Sequence, residues 1–186
     1  MQTLILASRS PRRQEILSKC GFPFTAEPAD IDETIDSSLS LTDAIKDLSL
    51  RKAAYIAAKH PDAVIIGSDT VVVSHGEILG KPKNHEDAKR MLRMLQNDTH
   101  DVITGLAVVT PTKTYTTTSV SHVTFTPMTD TEITKYIATG ECDDKAGSYG
   151  IQGFGGRYIE NIDGDYYSIM GLPLHQLYTI LCDIFD

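Results

Sequence analysis

The sequence predicts an α/β protein with a twisted mixed sheet and flanking helices. Three observations carry that reading. A short apolar run, Leu4-Ile5-Leu6-Ala7, passes directly into residues that start helices. A second one, Ala63-Val64-Ile65-Ile66, follows an amphipathic helix, which is the alternation of a parallel sheet. Further on, two Val- and Thr-rich segments flank Pro111-Thr112-Lys113, the pattern of an antiparallel hairpin.

Each element has its own local reason. Ser10 suits an N-cap and Pro11 the first helical turn, so the first strand should be followed by a helix that stops at Gly21. A short strand is expected around residues 24 to 27, then the acidic loop Asp30-Ile31-Asp32-Glu33. A helix over about residues 41 to 59 ends before Pro61, which disfavours helical backbone at His60. The strand over about residues 63 to 73 turns at Ser74-His75-Gly76-Glu77 into Ile78-Leu79. Asn84 caps a helix over about residues 85 to 95. The hairpin strands take about residues 101 to 110 and 114 to 125. A helix starts after Thr129 and ends at Gly140, and a glycine-rich stretch from 147 to 156 leads to a strand near residues 158 to 162. The last helix covers about residues 174 to 185.

Composition narrows the function. The chain has 186 residues, enough for one domain or one domain with two lobes. Its net charge of −8 argues against a general nucleic-acid binder, which would carry a broad basic face. Cys20, Cys142 and Cys182 are too few and too scattered for a disulfide scaffold or a zinc site, which fits a reducing, cytoplasmic setting. No run approaches the ~20 apolar residues of a membrane span, and the apolar amino terminus is too short for a signal peptide. The six histidines show no metal-ligand spacing and read as mostly exposed.

Against this acidic background, a few cations stand where local rules disfavour them. Ser8-Arg9-Ser10-Pro11-Arg12-Arg13 crowds three arginines at the positive end of a helix, where they repel the macrodipole unless an anion binds there. The alternative is a solvated basic turn. Lys52 falls on the stripe Leu41, Ile45, Leu48, Lys52, Ile56, the buried face of its helix. It either snorkels to the edge or aims its amine into a cleft where an anion offsets its desolvation. On the stripe alone, Lys52→Met should be tolerated. Asp69 interrupts an apolar strand, and Gly67 just before it permits a bulge or the close approach of another chain or ligand. Such a carboxylate needs a metal, a cation or a proton, unless it merely caps a loop. Gly80-Lys81-Pro82-Lys83 adds cations at a turn, and the glycines from 147 to 156 mark backbone that bends closely around something. Phosphate-binding cations (Arg12, Arg13, Lys52, Lys81), carboxylates (Glu33, Asp69, Asp144) and a Gly-Gln loop together suit a divalent metal and a nucleoside polyphosphate attacked by water.

These residues together resemble the Maf family of nucleoside triphosphate pyrophosphatases. The likeness runs through Ala7-Ser8-Arg9-Ser10-Pro11-Arg12-Arg13, Asp32-Glu33, Lys52-Ala53, Gly67-Ser68-Asp69-Thr70, Gly80-Lys81-Pro82, Thr104-Gly105 and Asp144-Lys145-Ala146-Gly147. It continues through Tyr149-Gly150-Ile151-Gln152-Gly153, Ile162-Asp163-Gly164-Asp165-Tyr166 and Met170-Gly171-Leu172-Pro173. Ser68 and Ser148 stand where many members carry Ala.

The resemblance implies an inosine-triphosphatase-like architecture, with two lobes around a cleft and a single domain over residues 1–186. It implies that Asp69 is the catalytic carboxylate, associated with a divalent metal (Mg²⁺, Mn²⁺ or similar) together with Glu33. Ser8, Arg13, Lys52 and Lys81 would hold phosphates, and Arg12, Thr70 and Gln152 would select the base. A Gln amide can donate to one carbonyl of uracil or thymine and accept from N3–H, which suits the dTTP/UTP subgroup. The expected reaction is hydrolysis of dTTP or UTP to the monophosphate and pyrophosphate, with no nucleic-acid or membrane partner, and a homodimer is compatible with it. The alternatives are a nucleotide-binding regulator of septum formation with incidental hydrolysis, and a pyrophosphatase for modified pyrimidine nucleotides.

Overall fold

The structure, a computed structural model, describes residues 2–185. Its strands form one seven-stranded sheet in the order β2-β1-β3-β5-β6-β7, with β4 on β3. β1 (Leu4–Leu6) pairs in parallel with both β2 (Thr25–Ala26) and β3 (Val64–Ser74). β4 (Glu77–Leu79) folds back antiparallel on the far end of β3 through His75 and Gly76. Both turn residues have positive φ, 49° and 77°, which matches the twist of a two-residue hairpin. β5 (Thr99–Val109) and β6 (Thr114–Phe125) are neighbours, and β7 (Ile159–Asp163) lies antiparallel beyond β6. The mixed α/β class expected from the sequence is the one observed.

Six helices accompany these strands among the described residues: α1 (Pro11–Ser18), α2 (Leu41–Ala57), α3 (His85–Leu95), α4 (Asp130–Ile137), α5 (Tyr166–Met170) and α6 (Leu174–Phe185). The N-caps Ser10, Asn84 and Thr129 act as the sequence predicts, and Thr129 forms a reciprocal capping box with Glu132. Two helices end earlier than expected, each by tightening into i→i−3 bonds. Lys19, Cys20 and Gly21 donate to Ile16, Leu17 and Ser18, and Lys59 donates to Ile56 ahead of Pro61. α5 was not expected, because five residues are too few to show a helical period. The glycine-rich stretch holds two short 3₁₀ turns, Ala146–Ser148 and Phe154–Tyr158.

The chain divides into two compact units. One comprises Met1–Asp69, Thr104–Ser119 and Gly171–Asp186; the other comprises Thr70–Ile103 and Val120–Met170. In the first, Ile5, Ile65 and Ala107 of the sheet and Ala7 just after β1 pack with Ala53 and Ile56 of α2. In the second, Ala88, Met91, Leu92 and Leu95 of α3 and Val123 and Phe125 of β6 are buried. The three cysteines are free thiols. No helix among the described residues is long and apolar enough to cross a membrane.

Candidate active site

In the first unit, two glycines let α2 sit directly on the sheet. A Cβ on Gly67 would collide with the Ser49 carbonyl and come within 2.9 Å of the Ala53 amide nitrogen. One on Gly105 would lie 2.5 Å from Ser49 Oγ and 2.6 Å from the Ile45 carbonyl. The close approach expected at Gly67 is therefore made by the chain's own helix backbone. Ser49 is buried there and donates to the Ile45 carbonyl at 2.8 Å.

One turn further along, Lys52 is only 6% exposed and its Nζ does not reach out to solvent. It lies 2.5 Å from Asp69 Oδ1, at the end of this unit's portion of β3, and 2.9 Å from Glu33 Oε1 on the acidic loop. The two carboxylates offset the desolvation of the amine, so the snorkelling alternative does not describe this lysine.

α1 brings its cations to the same unit. Ser10 Oγ caps the helix by accepting from Arg13 N at 3.4 Å. The Arg13 guanidinium donates through Nε to the Gly171 carbonyl at 2.8 Å and through a terminal nitrogen to Ser8 Oγ at 3.4 Å. Ser8 is buried and also accepts from Ser10 N at 3.1 Å. Burial lowers the Arg13 pKa from its usual value; Asp69 and Glu33 oppose that shift, and the like charge of Arg12 adds to it. Arg12, Arg13, Glu33, Lys52 and Asp69 thus form one electrostatic group, and three cations against two carboxylates leave one positive charge in excess. That surplus suits an anion.

Ser68, singled out in the sequence as a serine where alanine is common, ties distant segments of this unit together. Its buried hydroxyl lies 2.7 Å from the Gly105 carbonyl and 2.9 Å from that of Gly171, the same oxygen that receives Arg13. An alanine there could not tie these strands to residue 171. The sequence showed it only as a small-for-small exchange of alanine for serine.

The remaining predicted residues belong to the second unit. Thr70 follows Asp69 in β3 and shares a strand face with Val72 two residues on. The Val72 side chain packs against Gly147, whose φ of +68° and lack of a Cβ allow the contact. Gly147 N donates to the Gly80 carbonyl at 3.2 Å, pinning the exposed loop that carries Lys81. Gln152 is exposed at the third position of a turn closed by Gly153 N donating to the Gly150 carbonyl at 3.3 Å.

What the glycine-rich stretch bends around is Glu141. Its Oε2 accepts from Phe154 N at 2.7 Å, and its Oε1 accepts from Gly155 N at 2.9 Å and from the Tyr136 hydroxyl at 2.8 Å. Burial raises the Glu141 pKa, but these hydrogen bonds and Lys145 outweigh it and hold the carboxyl below its usual value. Sequence reasoning missed both Glu141 and Tyr136, although the run of glycines announced them. Asp144 pairs with Lys145 at 2.8 Å.

The histidines are mostly exposed as expected, and His100 is the buried one. His100 is 2% exposed, packed edge-on against Phe125 and Tyr149, with Nε2 2.8 Å from the Tyr149 hydroxyl. Among the described residues no cluster of three or more His, Cys, Asp or Glu is arranged to hold a metal ion. The convergent hard donors are the two carboxylates on Lys52, Glu33 and Asp69. That donor set fits a Mg²⁺-type ion, which takes one or two carboxylates and completes its shell with substrate phosphates and water.

The chain is thus a mixed α/β protein in which Arg12, Arg13 and Lys52 gather around two carboxylates, Glu33 and Asp69. The Staphylococcus aureus Ham1 protein shares this fold at a TM-score of 0.50, over 85% of this chain and 80% of that one, at 14% identity. The sequence matches the family described as Maf-like protein across residues 3–184, and the chain belongs to that family. Its relatives include a Shouchella clausii protein named dTTP/UTP pyrophosphatase, 44% identical over 95% of this chain and 92% of that one. A Bacillus cereus protein of the same name is 45% identical over 95% and 93%.

Proposed function

We propose that this chain is a nucleoside triphosphate pyrophosphatase, one functional domain over residues 1–186, that converts dTTP and UTP to the nucleoside monophosphate and pyrophosphate. The observation that carries the reading is the Lys52–Asp69–Glu33 group beside Arg12 and Arg13, in a chain of this family. The names of its relatives supply the substrate class.

In this reading Asp69 orients a water and takes its proton as the water oxygen bonds to the α-phosphorus. The bridging α–β P–O bond breaks, and pyrophosphate leaves. Lys52 holds Asp69 by its Oδ1, and the second carboxylate oxygen has lone pairs for the water. Arg13, Lys52, Lys81 and the Ser8 hydroxyl bind phosphate oxygens and neutralise charge that builds on the departing pyrophosphate. Arg13 is pre-oriented for this by the Gly171 carbonyl and Ser8. Glu33 and Asp69 would hold a divalent metal, which when bound supplies Lewis-acid stabilisation of phosphate charge. Arg12, Thr70 and Gln152 select the pyrimidine, Gln152 by pairing its amide with a carbonyl and N3–H. The free thiols and the net charge of −8 support a cytoplasmic enzyme without a nucleic-acid partner.

The test is hydrolysis of a panel of nucleotides in ¹⁸O-water, with added metal and with chelator. The expected products from dTTP and UTP are monophosphate and pyrophosphate in equal amounts, with the label in the monophosphate. Release of single phosphates, or binding without turnover, would overturn the reading, and the second result would favour a regulatory role.

A further inference from the structure

The turn that carries Gln152 is clamped from both sides by one pair of side chains, Tyr136 and Glu141. Before the turn, Gly150 N donates to the Tyr136 hydroxyl at 3.1 Å. After it, Phe154 N and Gly155 N donate to the two Glu141 oxygens, and the Tyr136 hydroxyl itself donates to Glu141 Oε1. The glycines are what admit this arrangement. A Cβ on Gly153 would overlap Glu141 Oε2, one on Gly150 would lie 3.0 Å from Oε1, and one on Gly155 would lie 2.9 Å from the Tyr136 oxygen.

Tyr136 is buried on α4, and Lys145 Nζ holds the Glu141 carbonyl at 2.6 Å. Gln152 therefore rides on the tip of a turn whose two ends are fixed, although the residue itself is exposed.

We propose that Glu141, oriented by Tyr136, is a positioning residue for base selection: it fixes the turn at residues 150–153 and hence the place from which Gln152 presents its amide. This rests on the reading that Gln152 pairs with the pyrimidine edge. A carboxylate accepting from two backbone N–H groups is more rigid than a solvated glycine loop, and a rigid amide discriminates between a carbonyl and an amino group better than a mobile one. In Glu141→Gln one carboxylate oxygen becomes an NH₂ that faces an N–H or O–H donor, so at least one clamp bond is lost with little change of shape.

The experiment is steady-state kinetics of the full chain with UTP and CTP for Glu141→Gln, Tyr136→Phe and Gln152→Glu. Glu141→Gln should raise KM for UTP roughly tenfold with kcat changed far less, and raise the CTP-to-UTP ratio of kcat/KM roughly fivefold. Tyr136→Phe should move both quantities the same way by a smaller factor, and it decides the matter alone if Glu141→Gln does not fold. A parallel loss for both nucleotides in the clamp variants, while Gln152→Glu does change the ratio, would make Glu141 merely structural and overturn the proposal. If Gln152→Glu itself leaves the ratio unchanged, the base reading fails and the proposal falls with it.

Discussion

At the scale of single residues, the informative ones are polar groups placed where burial disfavours them. Asp69 is the sharpest case, a carboxylate in an apolar strand with Lys52 Nζ 2.5 Å away. Asp69→Asn keeps the size and most of the packing and removes the charge. Turnover of UTP should fall ~10²-fold or more, which is upwards of ~2.7 kcal/mol of barrier, and the melting temperature should fall as well, because the buried Lys52 then relies on the exposed Glu33. Near-normal turnover in the purified variant would remove Asp69 from the proposed mechanism.

Lys52 shows how geometry can reverse an inference from pattern. The helical stripe by itself predicts that Lys52→Met is tolerated or stabilising. The structure pairs Lys52 with Asp69 and Glu33, so Met would strand a largely buried carboxylate. A loss on the order of 2–4 kcal/mol in a denaturant titration is expected, partly recovered in the double variant Lys52→Met/Asp69→Asn. No recovery in the double variant would show that the ion pair is not the cause.

At the scale of elements, the site depends on how closely α2 meets the sheet. Gly67 on β3 and Gly105 on β5 remove the side chains that would hold the helix off, and Lys52 reaches Asp69 only from that distance. Gly67→Ala must displace Ser49 and Ala53, which are helix backbone at that point rather than a flexible side-chain end. The urea midpoint should fall by the equivalent of about 1–3 kcal/mol, and activity should fall further than stability alone explains, because Lys52 moves with the helix. Unchanged activity in a destabilised variant would uncouple the helix position from the site. The sequence marked Gly67 as a place of close approach but could not say what approaches, since helix–strand contact is made across non-local positions.

For the whole molecule, the buried His100 couples folding to pH. Desolvation lowers its pKa from 6.5 to about 4, with Asp98 and Asp101 opposing the shift, and its neighbours Phe125 and Tyr149 offer no charge. The unfolded chain therefore binds more protons than the folded one between those values. Stability is fully present above about pH 6.5 and is lost as the pH falls toward 4, a loss of about 2 kcal/mol by pH 5. Melting temperatures measured from pH 7 to pH 5 should fall, and the slope should flatten in His100→Gln, which retains a hydrogen-bonding group for Tyr149. An unchanged slope would assign the pH dependence to other groups.

The sequence by itself determined most of the elements, though not the five-residue α5, because strand and helix periods, caps and turn residues act over a few positions. Ser10, Asn84 and Thr129 cap where they should, and β6 and the last helix keep their expected ends. It also singled out Arg13, Lys52 and Asp69, since a charge in an apolar pattern is visible without coordinates. Tertiary structure alone decided their partners. That Arg13 shares the Gly171 carbonyl with Ser68, that Lys52 joins Glu33 to Asp69, and that the glycine loop closes on Glu141 are contacts between distant positions. Hydrogen bonds and ion pairs are set by distances of about 3 Å, and only the folded chain brings such residues that close.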